Sequence, residues 1–347
     1  MRFERRPHTP LWLAAAAPLA AVFAALSLAA ILIAAAGANP LTAYGAMLTG
    51  ALGSKLAATE MLTRATPLIL TGLAAAVAFR TRLWNIGGEG QFFLGALVTA
   101  WIGASLPLPG ILGIPVLMLC GMIAGALMLM GPAFLRLRFG VDEVVTTLLM
   151  NFIAILFVGM MIEGPLKDPL AFGWPQSVPV DDAFRLPDLV PRTRLHVGFL
   201  VAIAAALAVW ALMARTVFGA ETRAAGLNPA AAAFAGVSLP RTIMGVAALS
   251  GALAGLAGSV EVLGVTAGVT TTMSPGFGYA GIVVAMLAAL HPAGSAAAAI
   301  FIATIFVGAD AMSRATGVPS FISDVIVALS LLSMLVALFF TTWRIAR

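Results

Sequence analysis

Long apolar runs follow one another along this chain, separated by short polar segments. A run of 18 or more apolar residues is long enough to cross about 30 Å of hydrocarbon as a helix. Ten stretches are read as spans, at roughly 11–36, 60–79, 90–106, 112–133, 142–163, 196–214, 242–264, 278–291, 293–312 and 320–343. The eighth is short, and only His291 and Pro292 part it from the ninth, so the two form either a tight hairpin or one broken element. Ten-residue segments of alternating polarity are absent, which argues against a barrel. Between the first two spans, residues 41–56 are too polar to cross and are expected to lie on the outer surface as an amphipathic helix.

Composition agrees with that pattern. Of 347 residues, 61% are hydrophobic and 10% charged, whereas an ordinary globular domain carries about a quarter charged residues. The expected fold is one all-α polytopic membrane domain over residues 1–347. The net charge of +5 comes from small basic groups between apolar runs and forms no continuous patch for nucleic acid. Those groups report orientation, because basic residues are retained on the cytoplasmic side. With the amino terminus inside, inner segments hold 12 Lys and Arg, and outer segments hold six (Lys55, Lys167, Arg185, Arg192, Arg194 and Arg314). Both termini are therefore expected in the cytoplasm. The basic start and the apolar stretch from Leu11 imitate a secretory signal, but the apolar part is about twice the usual length and reads as a retained span. The lone cysteine, Cys120, reads as a small apolar residue.

The two halves echo each other. Leu70-Thr71-Gly72 in the second span is matched by Leu249-Ser250-Gly251 in the seventh, and each span then meets a glycine-rich break and a short, aromatic-led span. Five spans apart, the two segments cross in opposite directions, as in a 5+5 inverted repeat with a pathway where the repeats meet.

Polar residues inside apolar spans are the candidates for function. Residues 83–97 read LWNIGGEGQFFLGAL, with Asn85, Glu89 and Gln91 offering hydrogen-bonding groups beside flexible glycines. This is either a segment lining a polar pathway or a turn whose glutamate suits a helix start. In the fifth span Glu143, Thr147 and Asn151 share one helical face. An ionised carboxylate facing lipid costs about 2.5 kcal/mol or more, so that face should look toward protein or water. Glu261 either lines a cavity or meets solvent. Ala247, Gly251, Gly255 and Ser259 form a small-residue stripe suited to close helix packing. Glu60 and Arg64, one turn apart, read as an ion pair. The loop 164–194 is either a solvated connector or a docking surface for an external partner.

The segment 215–241 lies on the inner side. Asn228 is a good N-cap, Pro229 suits the first helical position, and Gly236 is placed to end a helix of about two turns. So short a helix is marginal alone, so something should cover it. Enzymatic readings find little support: His8, His196 and His291 are dispersed, and Lys55 and Lys167 stand in no phosphate-loop pattern.

Several segments together resemble membrane permeases of bacterial ATP-binding-cassette importers, in the branch serving nucleosides and simple sugars. They are Trp84-Asn85-Ile86-Gly87-Gly88-Glu89-Gly90-Gln91, Asp142-Glu143-Val144-Val145-Thr146-Thr147 with Asn151, Arg223-Ala224-Ala225-Gly226-Leu227-Asn228-Pro229, the run 250–258, and 276–282. The Glu89-Gly90-Gln91 ending is similar to the larger of two permeases used together by nucleoside importers. The resemblance implies a pathway subunit without a bound cofactor, with ATP and Mg on separate cytoplasmic ATPase chains. It also implies a second permease (a heterodimer, or a homodimer), an external substrate-binding protein or lipoprotein, and a place in the bacterial inner membrane. Arg223, Gly226, Asn228, Pro229 and Gly236 then belong to a coupling helix that contacts the ATPase. Where relatives usually carry a glycine after the leucine of the eighth span, this chain has Met286-Leu287-Ala288-Ala289. The rival reading is a secondary carrier driven by an ion gradient through Glu89, Glu143 or Glu261.

Overall fold

Each helix boundary follows from a local signal. In the computed structural model, which describes residues 2–5 and 11–346, α1 (Leu11–Ala35) ends near Gly37, whose φ of +84° suits glycine. The chain turns by 115° into α2 (Pro40–Leu52), where the Asn39 side chain accepts the Leu41 N–H and Pro40 takes the first position. Ser54 caps α3 (Lys55–Phe79), so this helix starts five residues before the expected position 60 and takes in the end of the 41–56 segment. Next come α4 (Gly88–Gly103) and α5 (Gly110–Phe139), the latter closed by left-handed Gly140. Asp142 caps α6 (Glu143–Glu163). After the long loop lie α7 (Gly198–Arg215), α8 (Val217–Leu227) and α9 (Pro229–Phe234). The chain continues through α10 (Leu239–Glu261) with a π-helical turn at Val262–Thr266, α11 (Phe277–Leu287), α12 (Pro292–Thr316) and α13 (Ile322–Thr342).

A helix overlaps each of the ten stretches read from the sequence, though α11 stops at Leu287, short of 291. Among the described residues six helices are long and apolar enough to cross a membrane, or seven if the bent α1–α2 pair is one span. The architecture is thus that of a helical, multi-pass membrane protein. The shortest of the helices over these stretches, α11, has 11 residues, about 16 Å at 1.5 Å per residue, roughly half the hydrocarbon thickness. A short antiparallel ribbon, β1 (Arg2–Arg5) with β2 (Trp343–Ala346), brings the two ends of the chain together.

The interior is built on α3 and α10. Almost all of α3 from Ala65 to Phe79 is buried, and α10 packs along α3, α4 and α5. The small-residue stripe is the reason for that closeness. A methyl group on Gly251 would collide with the Gly125 carbonyl, and one on Gly255 with the Gly121 carbonyl. Ser259 and Thr99 join hydroxyls at 2.8 Å within the same seam. Without a hydrophobic driving force between helices in lipid, such backbone proximity supplies the packing that holds them.

Candidate functional site

Between α3 and α4 the chain drops helix at Arg80 and runs as an irregular segment into the bundle. Unpaired backbone is costly at that depth, so side chains must replace the missing helix bonds. Asn85 does part of this: its Oδ1 accepts the Gly87 N–H at 2.9 Å and the Gln91 Nε2–H at 2.8 Å. Its Nδ2 donates to Gln91 Oε1 at 3.0 Å and to Ser250 Oγ on α10 at 3.1 Å. The polar face of α6 does the rest. Asn151 Oδ1 accepts the Gly90 N–H at 2.8 Å while its Nδ2 donates to the Ile86 carbonyl at 2.7 Å. Thr147 accepts the Ile86 N–H at 3.2 Å, and Glu143 accepts the Trp84 N–H at 3.4 Å and pairs with Arg136 at 2.8 Å.

Glu89 reaches furthest. It sits in the first turn of α4, yet it accepts the Gly278 N–H at 2.6 Å and is bonded by Ser274 and the Tyr279 N–H. It therefore caps α11, where a carboxylate complements the positive end of a helix. The N-termini of α4 and α11 meet here, with Gly88 and Gly278 side by side; a methyl on Gly278 would collide with Glu89 N. Hydroxyls clasp this junction from both sides. Thr71 on α3 donates to the Phe277 carbonyl at 2.9 Å, and Ser250 on α10 accepts from Asn85 while donating to the Ala74 carbonyl at 2.7 Å.

Asn85, Glu89, Gln91, Glu143, Thr147 and Asn151 thus form one buried cluster. Their polar atoms are engaged in holding the irregular segment and the two short helices, and they stand as braces of the junction more than as open lining. Glu261 lies apart from them. It faces a cavity of about 270 Å³ shared with Glu60, Arg64, Arg194 and Phe277. Arg64 meets Glu60 at 3.6 Å, but its nearer partner is Asp310 of α12 at 2.9 Å, so the expected ion pair is one arm of a wider group. Phe277 opens α11, so this cavity ends against the same junction. Sequence reasoning missed Tyr279, whose hydroxyl receives Asn151 Nδ2 at 3.3 Å, and also Ser274 and Arg136. The available signal for Tyr279 was its rarity, since the chain has two tyrosines.

The segment 215–241 contains two helices where one was expected. Thr216 caps α8, and α9 starts at Asn228, whose Oδ1 accepts the Ala231 N–H at 3.1 Å. Pro229 takes the first position, and Gly236 has a φ of +90° with its N–H on the Ala233 carbonyl at 3.0 Å. Gly226 packs directly on the Arg80 carbonyl, leaving no room for a side chain. Arg223 donates to the Met213 carbonyl at 2.5 Å, tying α8 to the end of α7. Phe234, at the end of α9, is 97% exposed.

Bundled helices, an irregular glycine-rich segment braced by amides and carboxylates, and a projecting short helix define a membrane transport subunit. The family model for the permease component of branched-chain amino acid transport systems matches residues 57–338, and the chain belongs to that family. Among curated relatives, the glucose ABC transporter permease protein TsgB13 of Haloferax volcanii is 35% identical over 99% of this chain and 93% of its own length. The guanosine ABC transporter permease protein NupP of Bacillus subtilis is 34% identical over 91% of each. The nucleoside ABC transporter permease protein NupB of Lactococcus lactis is 34% identical over 90% of this chain and 88% of its own. No solved structure matches the chain. The protein is an ABC transporter permease, a transport subunit rather than an enzyme.

Proposed function

We propose that the chain forms the translocation pathway of an importer for a nucleoside or simple sugar in a bacterial cytoplasmic membrane. The substrate class rests on the named specificities of three relatives, for glucose, guanosine and nucleosides. ATP and Mg belong on partner ATPase chains, and a second permease completes the pathway. The chain crosses ten times as a 5+5 inverted repeat with both termini inside. The reciprocal clasp supports that symmetry: Thr71 of one half holds α11, and Ser250 of the other holds the segment leading into α4. Two short helices from opposite halves meeting at their N-termini are what repeats related by an in-plane axis produce. The segment 41–56, now α2, lies at the outer side in this orientation. On the same side the loop 164–194 exposes Leu170, Phe172 and Trp174, which suits docking of an external binding protein.

The observation that carries the coupling role is Phe234, a large apolar side chain fully exposed on a six-residue helix that cannot be stable unsupported. An ATPase groove covers it. Arg223, Gly226, Asn228, Pro229 and Gly236 fix the helix in place, and closure of the ATPases pushes it against α8 and the start of α10. In proteoliposomes holding the permease with its ATPase and second permease, supplied with the external binding protein, Phe234→Glu should cut ATP-driven uptake at least tenfold while membrane insertion stays normal. Undiminished uptake would overturn the assignment. Uptake that ignores collapse of the proton gradient and stops on ATP depletion separates this reading from a secondary carrier.

A further inference from the structure

At the end of the bundle carrying α8 lies a second cavity, of about 520 Å³. Arg80, Arg82 and Arg223 all line it, and no carboxylate does. The α12 N-terminus also opens on it through His291 and Pro292, adding the positive end of a 25-residue helix. His291 Nδ1 is already taken, accepting the Gly294 N–H at 3.3 Å, so it offers no negative group. Arg80 spends Nε and Nη2 on the Leu290 carbonyl at 3.1 and 2.9 Å, and Arg223 spends one donor on Met213. Several guanidinium donors remain on each. The Arg82 side chain has no hydrogen bond or ion pair among the described residues. Burial first, then the charge of Arg223, lowers the Arg80 guanidinium from its usual range.

Most of the remaining lining is apolar, including Phe79, Trp210, Met213 and Leu290. Three cations in an otherwise mostly apolar cavity fit an amphiphile with an anionic head better than a small soluble anion. We propose that this cavity binds the phosphate of an anionic phospholipid, with Arg82 and Arg223 on the headgroup and the apolar wall against the acyl chains. The site bridges α3, α8 and α12, so a bound lipid joins the coupling segment to the bundle. Assigning the lipid to the inner leaflet rests on the orientation proposed above; the binding itself does not.

Full-length protein with its partner chains, delipidated in detergent, is titrated with dioctanoyl phosphatidylglycerol and dioctanoyl phosphatidylcholine by native mass spectrometry, and with inorganic phosphate by calorimetry. Phosphatidylglycerol should be held at least tenfold more tightly than phosphatidylcholine. Arg82→Gln, which removes one unbonded side chain and leaves the fold intact, should weaken it about fivefold, the effect of one basic residue near an anionic headgroup. Equal retention of the two lipids would overturn the proposal. So would phosphatidylglycerol binding unchanged in both Arg82→Gln and Arg82→Glu, or phosphate alone binding as tightly as the lipid. A shift of the site to the outer leaflet in oriented vesicles, with binding intact, would sink the orientation and spare the site.

Discussion

The Glu89 carboxylate accepts the Gly278 N–H at 2.6 Å across 189 residues of sequence, joining the start of α4 to the start of α11. Such a bond contributes about 0.5–1.5 kcal/mol net, and removing its acceptor also leaves the α11 N–H groups without a partner. Glu89→Ala should therefore lower the melting temperature of the purified permease and abolish uptake. Glu89→Gln keeps an acceptor at the same place and should recover more than half of the lost stability. Thermal unfolding in detergent reads both, and equal losses for the two variants would deny the capping role.

Asn85 and Gln91 exchange two hydrogen bonds, so their truncations should not add. A double-mutant cycle of Asn85→Ala with Gln91→Ala is expected to give a coupling energy of about 0.5–3 kcal/mol. Additive losses would mean that each amide works through other partners.

The seam of α5 with α10 offers a clean comparison. Gly255→Leu on α10 drives a side chain into the Gly121 carbonyl, whereas a Cβ added at Gly131 on α5 meets nothing within 4 Å, so Gly131→Leu serves as its control. The first should cost about 1–3 kcal/mol or more and lower the yield of folded protein. The second should be neutral or slightly stabilising, since glycine in a helix costs about 1 kcal/mol against a better former. Fluorescence-detected size exclusion and melting curves distinguish them.

The apolar runs made the helices legible, because hydrocarbon thickness sets their length and composition. Depth was not legible. The shortness of 278–291 was legible, but what holds α11 was not, because that comes from Glu89 and Thr71, which are distant in sequence. The four-residue spacing of Glu143, Thr147 and Asn151 identified the inward face of α6, yet its partner was backbone of residues 84–90, which offers no residue-type signal. Glu261 looked like a member of the same set by chemistry alone, and three-dimensional packing puts it with Glu60, Arg64 and Arg194. The α8 helix escaped notice because glycines lower helix propensity, whereas Gly219 and Gly226 are both places where backbone touches backbone.

Ala289 and Leu290 have φ of +49° and +60°, left-handed values in the turn between α11 and α12. That twist turns the Leu290 carbonyl onto the Arg80 fork. A left-handed L-residue costs about 1–2 kcal/mol that glycine avoids, and the resemblance noted from sequence puts a glycine in this neighbourhood. Ala289→Gly should raise stability by about 0.5–1 kcal/mol once the greater chain entropy of glycine is set against the relief. A fall in melting temperature would show that the turn is not strained at this position.

His196 lies just before α7, buried against Gly264, with its Nδ1 accepting the Gly198 N–H at 3.1 Å. Burial, then the charge of Arg185, lowers its pKa from 6.5 to about 4. The folded protein therefore favours the neutral ring, and protonation works against folding. Stability from this group is complete above the unfolded pKa of about 6.5 and is lost as pH falls through about 4, where both states become protonated. The loss over that window is on the order of 3 kcal/mol. His196→Gln keeps an acceptor for the Gly198 N–H without a titrating proton, so its melting temperature should change less between pH 7 and pH 4 than that of the unaltered chain. Parallel curves for the two proteins across this range would remove His196 as the source of acid sensitivity.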